Sequence, residues 1–169
     1  VDDAGNDAGL AIDDLSMTAS LEAATSDGDG TVTLANSTGG SPYALSGIWP
    51  RGATGQTVSL TVTPILDTTT LTSVSILVPA GFGTPASSSV TSSGGAAGGT
   101  PSVSGQLVTL TGLSITKANP GVINLAGLST PNTATIGTGD GIYPFTVSTA
   151  GDGGTLKAVF ASPAANVLI

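Results

Sequence analysis

The sequence contains no cysteine and no histidine. Without cysteine no disulfide can hold the fold, and without histidine the chain lacks the commonest general base and the commonest transition-metal ligand. Charged residues make up 8% and aromatic residues 4% of the 169 positions, against a usual charged share of about 25%. No apolar run approaches the roughly 18 residues of a membrane-spanning helix. We therefore expect no histidine-dependent catalysis, no disulfide framework and no membrane span.

The few charged residues are unevenly placed. Eight of the eleven acidic residues lie in the first 29 positions, and the rest of the chain is formally neutral, with three acidic and three basic residues. A net charge of −8 without a basic patch argues against nucleic-acid binding. A neutral surface of small and hydroxyl-bearing residues lacks the repulsion that keeps soluble proteins apart, so it permits self-association. The eight acidic residues are Asp2, Asp3, Asp7, Asp13, Asp14, Glu22, Asp27 and Asp29.

Turn residues and short alternating stretches are abundant. Twenty-five glycines and ten prolines separate Thr- and Val-rich stretches with a period of two residues. This pattern predicts one all-β domain, a β-sandwich of about nine or ten short strands. A Ser-, Gly- and Ala-rich tract, residues 84–101, is expected to be a flexible loop. The expected strands are residues 31–35, 56–63, 71–78, 102–104, 106–111, 121–128, 142–148, 155–160 and 166–169. The expected core residues are Val58, Leu60, Val62, Val74, Ile76, Val78, Leu110, Ile123, Leu125, Phe145, Val147, Leu156 and Phe160.

One stretch stands apart from this series of strands. From Leu15 to Ala23, apolar and polar residues alternate over nine positions, which is typical of a strand with one buried face. Such a strand either completes the sheet of its own domain or inserts into the sheet of a neighbour. We therefore divide the chain into an acidic N-terminal arm, residues 1–30, with a candidate donor strand at 10–24, and a sandwich body, residues 31–169. The apolar positions of the candidate donor strand are Leu10, Ile12, Leu15, Met17, Ala19, Leu21 and Ala23.

Several segments of the body resemble a known family. The segments are 55–63 (GQTVSLTVT), 74–82 (VSILVPAGF), 103–110 (VSGQLVTL), 143–147 (YPFTV) and 154–163 (GTLKAVFASP). From about residue 47 to 169 the chain is similar to the immunoglobulin-like modules of long secreted and cell-surface proteins of bacteria and archaea. Separately, GLAIDDLS at 9–16 resembles the last strand of lectin-like jelly-roll domains. The resemblance implies an immunoglobulin-like or jelly-roll β-sandwich that serves surface display or assembly and carries no catalytic residues.

Two groups of carboxylates are candidate metal or catalytic sites. Asp27 and Asp29, which alternate with glycine, could bind Ca²⁺, because a hard cation takes six to eight oxygen ligands. The further ligands would come from Asp13 and Asp14, or from the cluster Asp2, Asp3, Asn6 and Asp7. The alternative is a solvated turn, and the EF-hand pattern is not met. Asp13 and Asp14 could also act as a pair in glycoside hydrolysis, but neighbouring residues of a strand point to opposite faces. We expect no enzyme activity, and no cofactor other than a possible Ca²⁺.

The aromatic residues and one asparagine are candidate glycan sites. Trp49 and Tyr43 could stack on sugars, as could Tyr143 and Phe82, although so few aromatic residues fit core or rim packing better. Asn36 opens an N-glycosylation sequon, Asn-Ser-Thr, in an expected loop.

Two functions of different classes fit these features. In the first, the chain is an extracellular structural protein, a subunit of a filament, sheath or surface layer, whose candidate donor strand inserts into the next copy of itself. In the second, the strand pairs within its own domain, and the chain is an adhesin or a carbohydrate-binding accessory module of a larger secreted protein, with glycans as partners. Both place the chain outside the cell or at its surface, and neither involves nucleic acid.

Overall fold

The computed structural model describes residues 30–36, 51–132, 142–151, 156–158 and 166–168. Within these ranges the chain forms strands and one short 3-10 helix, Ser87–Ser89. The strands are β1 (Thr31–Asn36), β2 (Gln56–Thr63), β3 (Leu71–Leu77), β4 (Val90–Gly94), β5 (Thr100–Ser104), β6 (Leu107–Ile115), β7 (Gly121–Leu128), β8 (Ile142–Pro144), β9 (Thr146–Gly151), β10 (Lys157–Ala158) and β11 (Asn166–Leu168).

The strands form two main antiparallel sheets. The four-stranded sheet has the order β1-β2-β7-β4, and the five-stranded sheet has the order β10-β9-β3-β6-β5. A small third sheet pairs β11 with β8. Side chains from both main sheets belong to one buried hydrophobic cluster, which makes the molecule a two-layer sandwich. The all-β sandwich that the alternating pattern predicts is therefore confirmed.

The core follows directly from the period of two. In β2, Val58, Leu60 and Val62 are fully buried, while the residues between them are half-exposed. Leu60 lies opposite Leu34 of β1 and Ile123 of β7, so the buried side chains form rows across the sheet. Burying one such side chain contributes roughly 1.5 to 3 kcal/mol. The predicted residues found in the core are Val58, Leu60, Val62, Val74, Ile76, Val78, Leu110, Ile123, Leu125, Phe145 and Val147.

The prediction for Leu156 is wrong, since 41% of this residue is exposed. Leu156 lies one residue before β10, outside the pairs that β10 makes with β9, so no described strand covers it. Phe160, the remaining predicted core residue, lies outside the described residues. The expected strand at 142–148 is divided in two at Phe145, because β8 pairs with β11 whereas β9 pairs with β3.

The expectation of a flexible loop at 84–101 is also wrong. The 3-10 turn and β4 occupy part of it, and β4 pairs with β7 along its whole length. A tight turn follows, in which Gly95 donates its N–H to the carbonyl of Pro120 (3.0 Å) and accepts the N–H of Ser114 (2.9 Å). Ala96 is fully buried. Small residues are needed here because the turn packs directly against backbone, so the composition that suggested flexibility reflects close packing.

The strand directions define two ends of the body. We call one the arm end, because Gly30 lies there beside Thr63, together with the loops 64–70 and 116–120. We call the other the pocket end, which holds residues 78–86 and the connections before β2, β6 and β9. The N-terminal arm therefore joins the body at the arm end.

Candidate functional site

Most site residues predicted from the sequence lie outside the described residues, whereas Asn36, Phe82 and Tyr143 are described. Asn36 is the last residue of β1, paired with Val58, rather than the first residue of a loop. Its glycosylation stays a prediction. The positions outside the described residues are Leu10, Ile12, Leu15, Met17, Ala19, Leu21 and Ala23 of the candidate donor strand, Asp13, Asp14, Asp27 and Asp29, and Tyr43 and Trp49.

The edge strands of the four-stranded sheet carry no charged residue. β1 has the sequence TVTLAN and β4 has VTSSG, and each pairs on one side only within the described part of the chain. Natural sheets usually protect such edges with lysine, proline or an inward-pointing charge. β5, at one edge of the other sheet, has this protection in Pro101. The uncharged edges of β1 and β4 leave backbone groups that an additional strand can pair with.

The outer face of the five-stranded sheet is covered by hydroxyl groups. Most of its residues alternate with the buried ones. Ser75, in the middle of the face, is itself buried, and its hydroxyl oxygen lies 3.4 Å from that of Thr109. Among all the described strands, Lys157 is the single charged residue. The body therefore lacks charge repulsion over its broad faces, as the sequence indicated. The hydroxyl residues of this face are Ser73, Ser75, Thr100, Ser102, Ser104, Thr109, Thr111, Thr146 and Ser148.

The few charges on the described loops include one ion pair. The Nζ atom of Lys117 lies 3.0 Å from a carboxylate oxygen of Asp67 at the arm end. The side chains are 48% and 82% exposed, respectively, so water and salt screen the pair.

We expect Asp67→Asn to lower the free energy of unfolding by less than about 0.5 kcal/mol, because exposed pairs of this kind contribute little. Urea denaturation at low and high salt measures the effect. A loss well above 1 kcal/mol would contradict the weak, screened pair that this exposure implies.

At the pocket end an apolar pocket of about 480 Å³ opens to the surface. Leu77 of β3, which lines the pocket, lies directly opposite Leu107 of β6, and the two residues are 47% and 41% exposed. Both side chains occupy outward positions where the neighbouring residues of the same face carry hydroxyls. The residues that line the pocket are Leu77, Val78, Pro79, Ala80, Gln106, Tyr143, Pro144 and Thr146.

Gln106 holds the wall of this pocket together. Its side-chain Nε2 atom donates to the backbone carbonyl oxygens of Pro79 (3.3 Å) and Phe82 (3.0 Å). Its backbone carbonyl oxygen accepts the N–H of Val78 (3.0 Å). Its Oε1 atom is buried and has no hydrogen-bond partner among the described residues. An unsatisfied buried acceptor costs about 1 to 3 kcal/mol.

An aromatic cluster supports the pocket from within. Phe82 is 5% exposed and packs edge-on against Tyr143 and Phe145, with ring centroids 5.6 and 5.4 Å apart. Phe82 is therefore a core residue and cannot present a face to a sugar. Tyr143 is half-buried, so part of its ring lines the pocket.

The described residues include no group of three or more metal-ligating side chains close enough to hold an ion. In the same part of the chain, no helix has the length and apolar character needed to cross a membrane.

The pocket is the feature that the sequence reasoning missed. The sequence did carry a signal for it. Positions 77 and 107 are leucine, although the period of two predicts a polar residue at each of them. That the two lie side by side depends on the register of β3 against β6, which the sequence does not specify.

No family model matches the chain, and no curated protein matches it. Solved structures that it resembles include the crystal structure of BslA, a bacterial hydrophobin, with a TM-score of 0.50 at 18% identity over 85% of this chain and 93% of that one. The collagen binding domain of Erysipelothrix rhusiopathiae surface protein RspB gives a TM-score of 0.48 at 14% identity, over 82% of this chain and 45% of that chain. An uncharacterized Nocardia farcinica protein with an immunoglobulin-like fold gives a TM-score of 0.41 at 13% identity, over 77% of this chain and 82% of that chain. The likeness to BslA is one of fold.

Proposed function

We propose that the chain is an extracellular structural subunit that polymerises by strand exchange, without catalytic activity. The candidate donor strand, residues 10–24, inserts into the next copy, and the body, residues 31–169, accepts it. The observation that carries the proposal is the nine-residue apolar–polar alternation at 15–23, attached to a sandwich whose described strands carry one charged residue. The apolar side of this stretch must be covered, and the sandwich of a second copy, which carries few charges and is formally neutral, can cover it.

The position of the arm supports a chain of subunits. The arm joins the body at the arm end, beside Thr63, while the apolar pocket lies at the pocket end. A contact between one end of a copy and the opposite end of the next uses two different surfaces, so it does not close on itself and continues as a fibre.

The energy of such a joint is adequate. Five apolar side chains in 15–23, two of them alanine, contribute about 1 to 2 kcal/mol each on average, or roughly 5 to 10 kcal/mol before entropy losses. Pairing of the strand backbone with an uncharged edge adds hydrogen bonds. A joint of this strength, repeated along a fibre, holds the assembly together.

The extracellular location is supported by the resemblance to bacterial and archaeal surface modules and by the fold shared with a bacterial hydrophobin. No cofactor is part of the proposal. Calcium at Asp13, Asp14, Asp27 and Asp29 remains a subsidiary prediction.

A variant that lacks residues 1–24 tests the proposal. We expect it to fold, because the described core contains no residue before Val32, and to remain monomeric where the full chain forms filaments. Negative-stain electron microscopy and sedimentation measure assembly, and circular dichroism confirms the fold. Filaments formed by the truncated chain would contradict strand exchange.

A second candidate function rests on the chemistry of the pocket. Part of the ring of Tyr143 lines the pocket, and a partly exposed aromatic ring is a group that sugar-binding sites use, which favours an adhesin or carbohydrate-binding module. A full chain that stays monomeric, binds glycans and loses that binding on Tyr143→Ala would establish this second function in place of the first.

A further inference from the structure

We propose that two exposed apolar residues of the loop 64–70, Ile65 and Leu66, insert into the apolar pocket of a second copy of the chain. The contact goes beyond strand exchange, because it joins the described bodies of two copies directly and uses no residue of the arm. It acts in the same joint, where the arm end of one copy meets the pocket end of the next, and it rests on the proposed function for the strength of that joint.

The large exposed apolar side chains of the body lie mainly at its two ends. The described residues include five of them. Ile65 and Leu66, which are 57% and 46% exposed, lie at the arm end, whereas Leu77 and Leu107 lie at the pocket end. The fifth, Leu156, lies beside β9 and takes no part in the contact. One body therefore carries an apolar projection at one end and an apolar pocket at the other.

The loop holds its two apolar residues in a fixed position. Pro64, directly before them, is buried, and Thr69, shortly after them, is buried as well, so the loop is anchored in the body on both sides. The N–H of Thr69 donates to the carbonyl oxygen of Leu66 (3.3 Å), which closes a tight turn between them. A projection that is already ordered loses little conformational entropy on binding.

The pocket is equally well formed before anything binds. The side chain of Gln106 donates to the backbone of Pro79 and Phe82, and this fixes the wall of the pocket. The volume of about 480 Å³ lies in the range of pockets that hold a drug-sized molecule, so two aliphatic side chains fit.

The charges of the two surfaces are compatible. No residue that lines the pocket is charged. Asp67, the one charged residue of the loop 64–70, is paired with Lys117, whose Nζ atom lies 3.0 Å from its carboxylate. The loop therefore brings no unpaired charge to an uncharged, apolar pocket.

The two surfaces cannot meet within one copy. β3 leads from the loop 64–70 to the pocket, and from Leu71 to Leu77 it spans about 20 Å at about 3.3 Å per residue. A loop anchored at one end of this strand cannot fill a pocket at its other end, so the partner is a second copy. A contact between two different surfaces leaves the same two surfaces exposed at the ends of the pair, and it continues from copy to copy.

The contact is small, with a few side chains from each copy. Stable complexes bury about 1,200 to 2,000 Å² of surface, more than two side chains in a pocket provide. A chain that lacks residues 1–24 therefore stays monomeric. In the full-length chain strand exchange already holds the two copies together, so the second contact acts at a high effective concentration and fixes how the bodies stack.

Charge substitutions in the full-length chain test the contact. Ile65→Asp and Leu77→Asp each place a carboxylate on one side of it, and Ser102→Asp adds the same charge at an exposed position in the middle of β5, away from both ends. We expect the first two to raise the critical concentration for polymerisation at least about tenfold, and Ser102→Asp to change it less than about twofold. Equal effects of all three would overturn the inference. Circular dichroism shows that each variant remains folded.

A paired substitution shows whether the two positions meet. Ile65→Lys and Leu77→Asp each weaken assembly alone, but in one chain they place opposite charges on the two sides of every joint. We expect the double variant to return to within about threefold of the critical concentration of the unmodified chain. A double variant that assembles no better than the weaker single variant would contradict the contact.

Cysteine cross-linking adds an independent readout, because the natural chain has no cysteine that could react in the background. Chains with Leu66→Cys are mixed with chains carrying Ala80→Cys under mild oxidation, and Ser102→Cys replaces Leu66→Cys in the control. A disulfide needs Cα atoms within about 7 Å, so we expect at least about tenfold more linked pairs for Leu66→Cys than for the control.

The outcomes separate the inference from the proposed function. Filaments that form without the cross-link and are unaffected by Ile65→Asp overturn the contact and leave strand exchange standing. The cross-link in chains that polymerise without residues 1–24, or that do not polymerise at all, overturns strand exchange and leaves the contact. A full-length chain that neither polymerises nor cross-links overturns both.

Discussion

Leu21→Asp in the arm is expected to abolish polymerisation, whereas Ser20→Asp should leave it nearly unchanged. The two residues are neighbours in the candidate donor strand, and strand pairing would place their side chains on opposite faces, of which the proposed joint buries only the apolar one. Burying an unpaired carboxylate costs several kcal/mol. We expect the critical concentration to rise at least about 100-fold for Leu21→Asp, which corresponds to about 2.8 kcal/mol. Light scattering against protein concentration measures it.

The same pair of substitutions at Leu15 and Ser16 repeats the test at the other end of the alternating stretch. Because the four changes add the same charge to an already acidic arm, general repulsion affects them alike. If the serine variants lose assembly as completely as the leucine variants, the arm acts through its charge and not through a buried apolar face.

Gly95→Ala is expected to lower the free energy of unfolding by about 3 kcal/mol or more. A Cβ atom at this position would lie 2.7 Å from the Cα of Ile115 and 2.8 Å from the carbonyl oxygen of Ser114, and it would also meet the carbonyl oxygen of Asn119. All three atoms belong to the backbone, so none can move aside as a flexible side chain can. Urea denaturation of the folded body measures the loss.

Gly98→Ala, three residues further along the same turn, is the matched control. No atom lies within 4 Å of a Cβ built there, and the cost comes only from its φ of +77°, about 1 to 2 kcal/mol. If both variants lower the free energy of unfolding by nearly equal, small amounts, the segment 84–101 is the flexible loop that its composition suggested.

Much of the sandwich could be predicted because each strand can be recognised from its own residues. In β2 and β7 the expected boundaries, 56–63 and 121–128, agree with the structure, and Val58, Leu60 and Ile123 are buried as the alternation requires. A period of two with β-branched residues depends only on neighbours in the chain, so the sequence carries it directly.

What the sequence did not show depends on contacts between distant residues. The turn around Gly95 is rigid because Ser114 and Pro120 lie against it, and nothing in a run of serine, glycine and alanine reveals those neighbours. The exposed pair Leu77 and Leu107 depends on the register of β3 against β6, and the pocket lies beside the break at Phe145, between Pro144 and Thr146 of its lining. Composition therefore misled at the turn around Gly95 and gave no sign of the pocket.

The mass of the full-length chain in solution, measured by light scattering over a wide range of concentrations, tests the central claim most directly. Strand exchange between copies predicts particles that grow with concentration well beyond a dimer, since each joint leaves a free arm and a free acceptor for the next subunit. A chain that remains a monodisperse monomer at all concentrations, with residues 1–30 present, would contradict it.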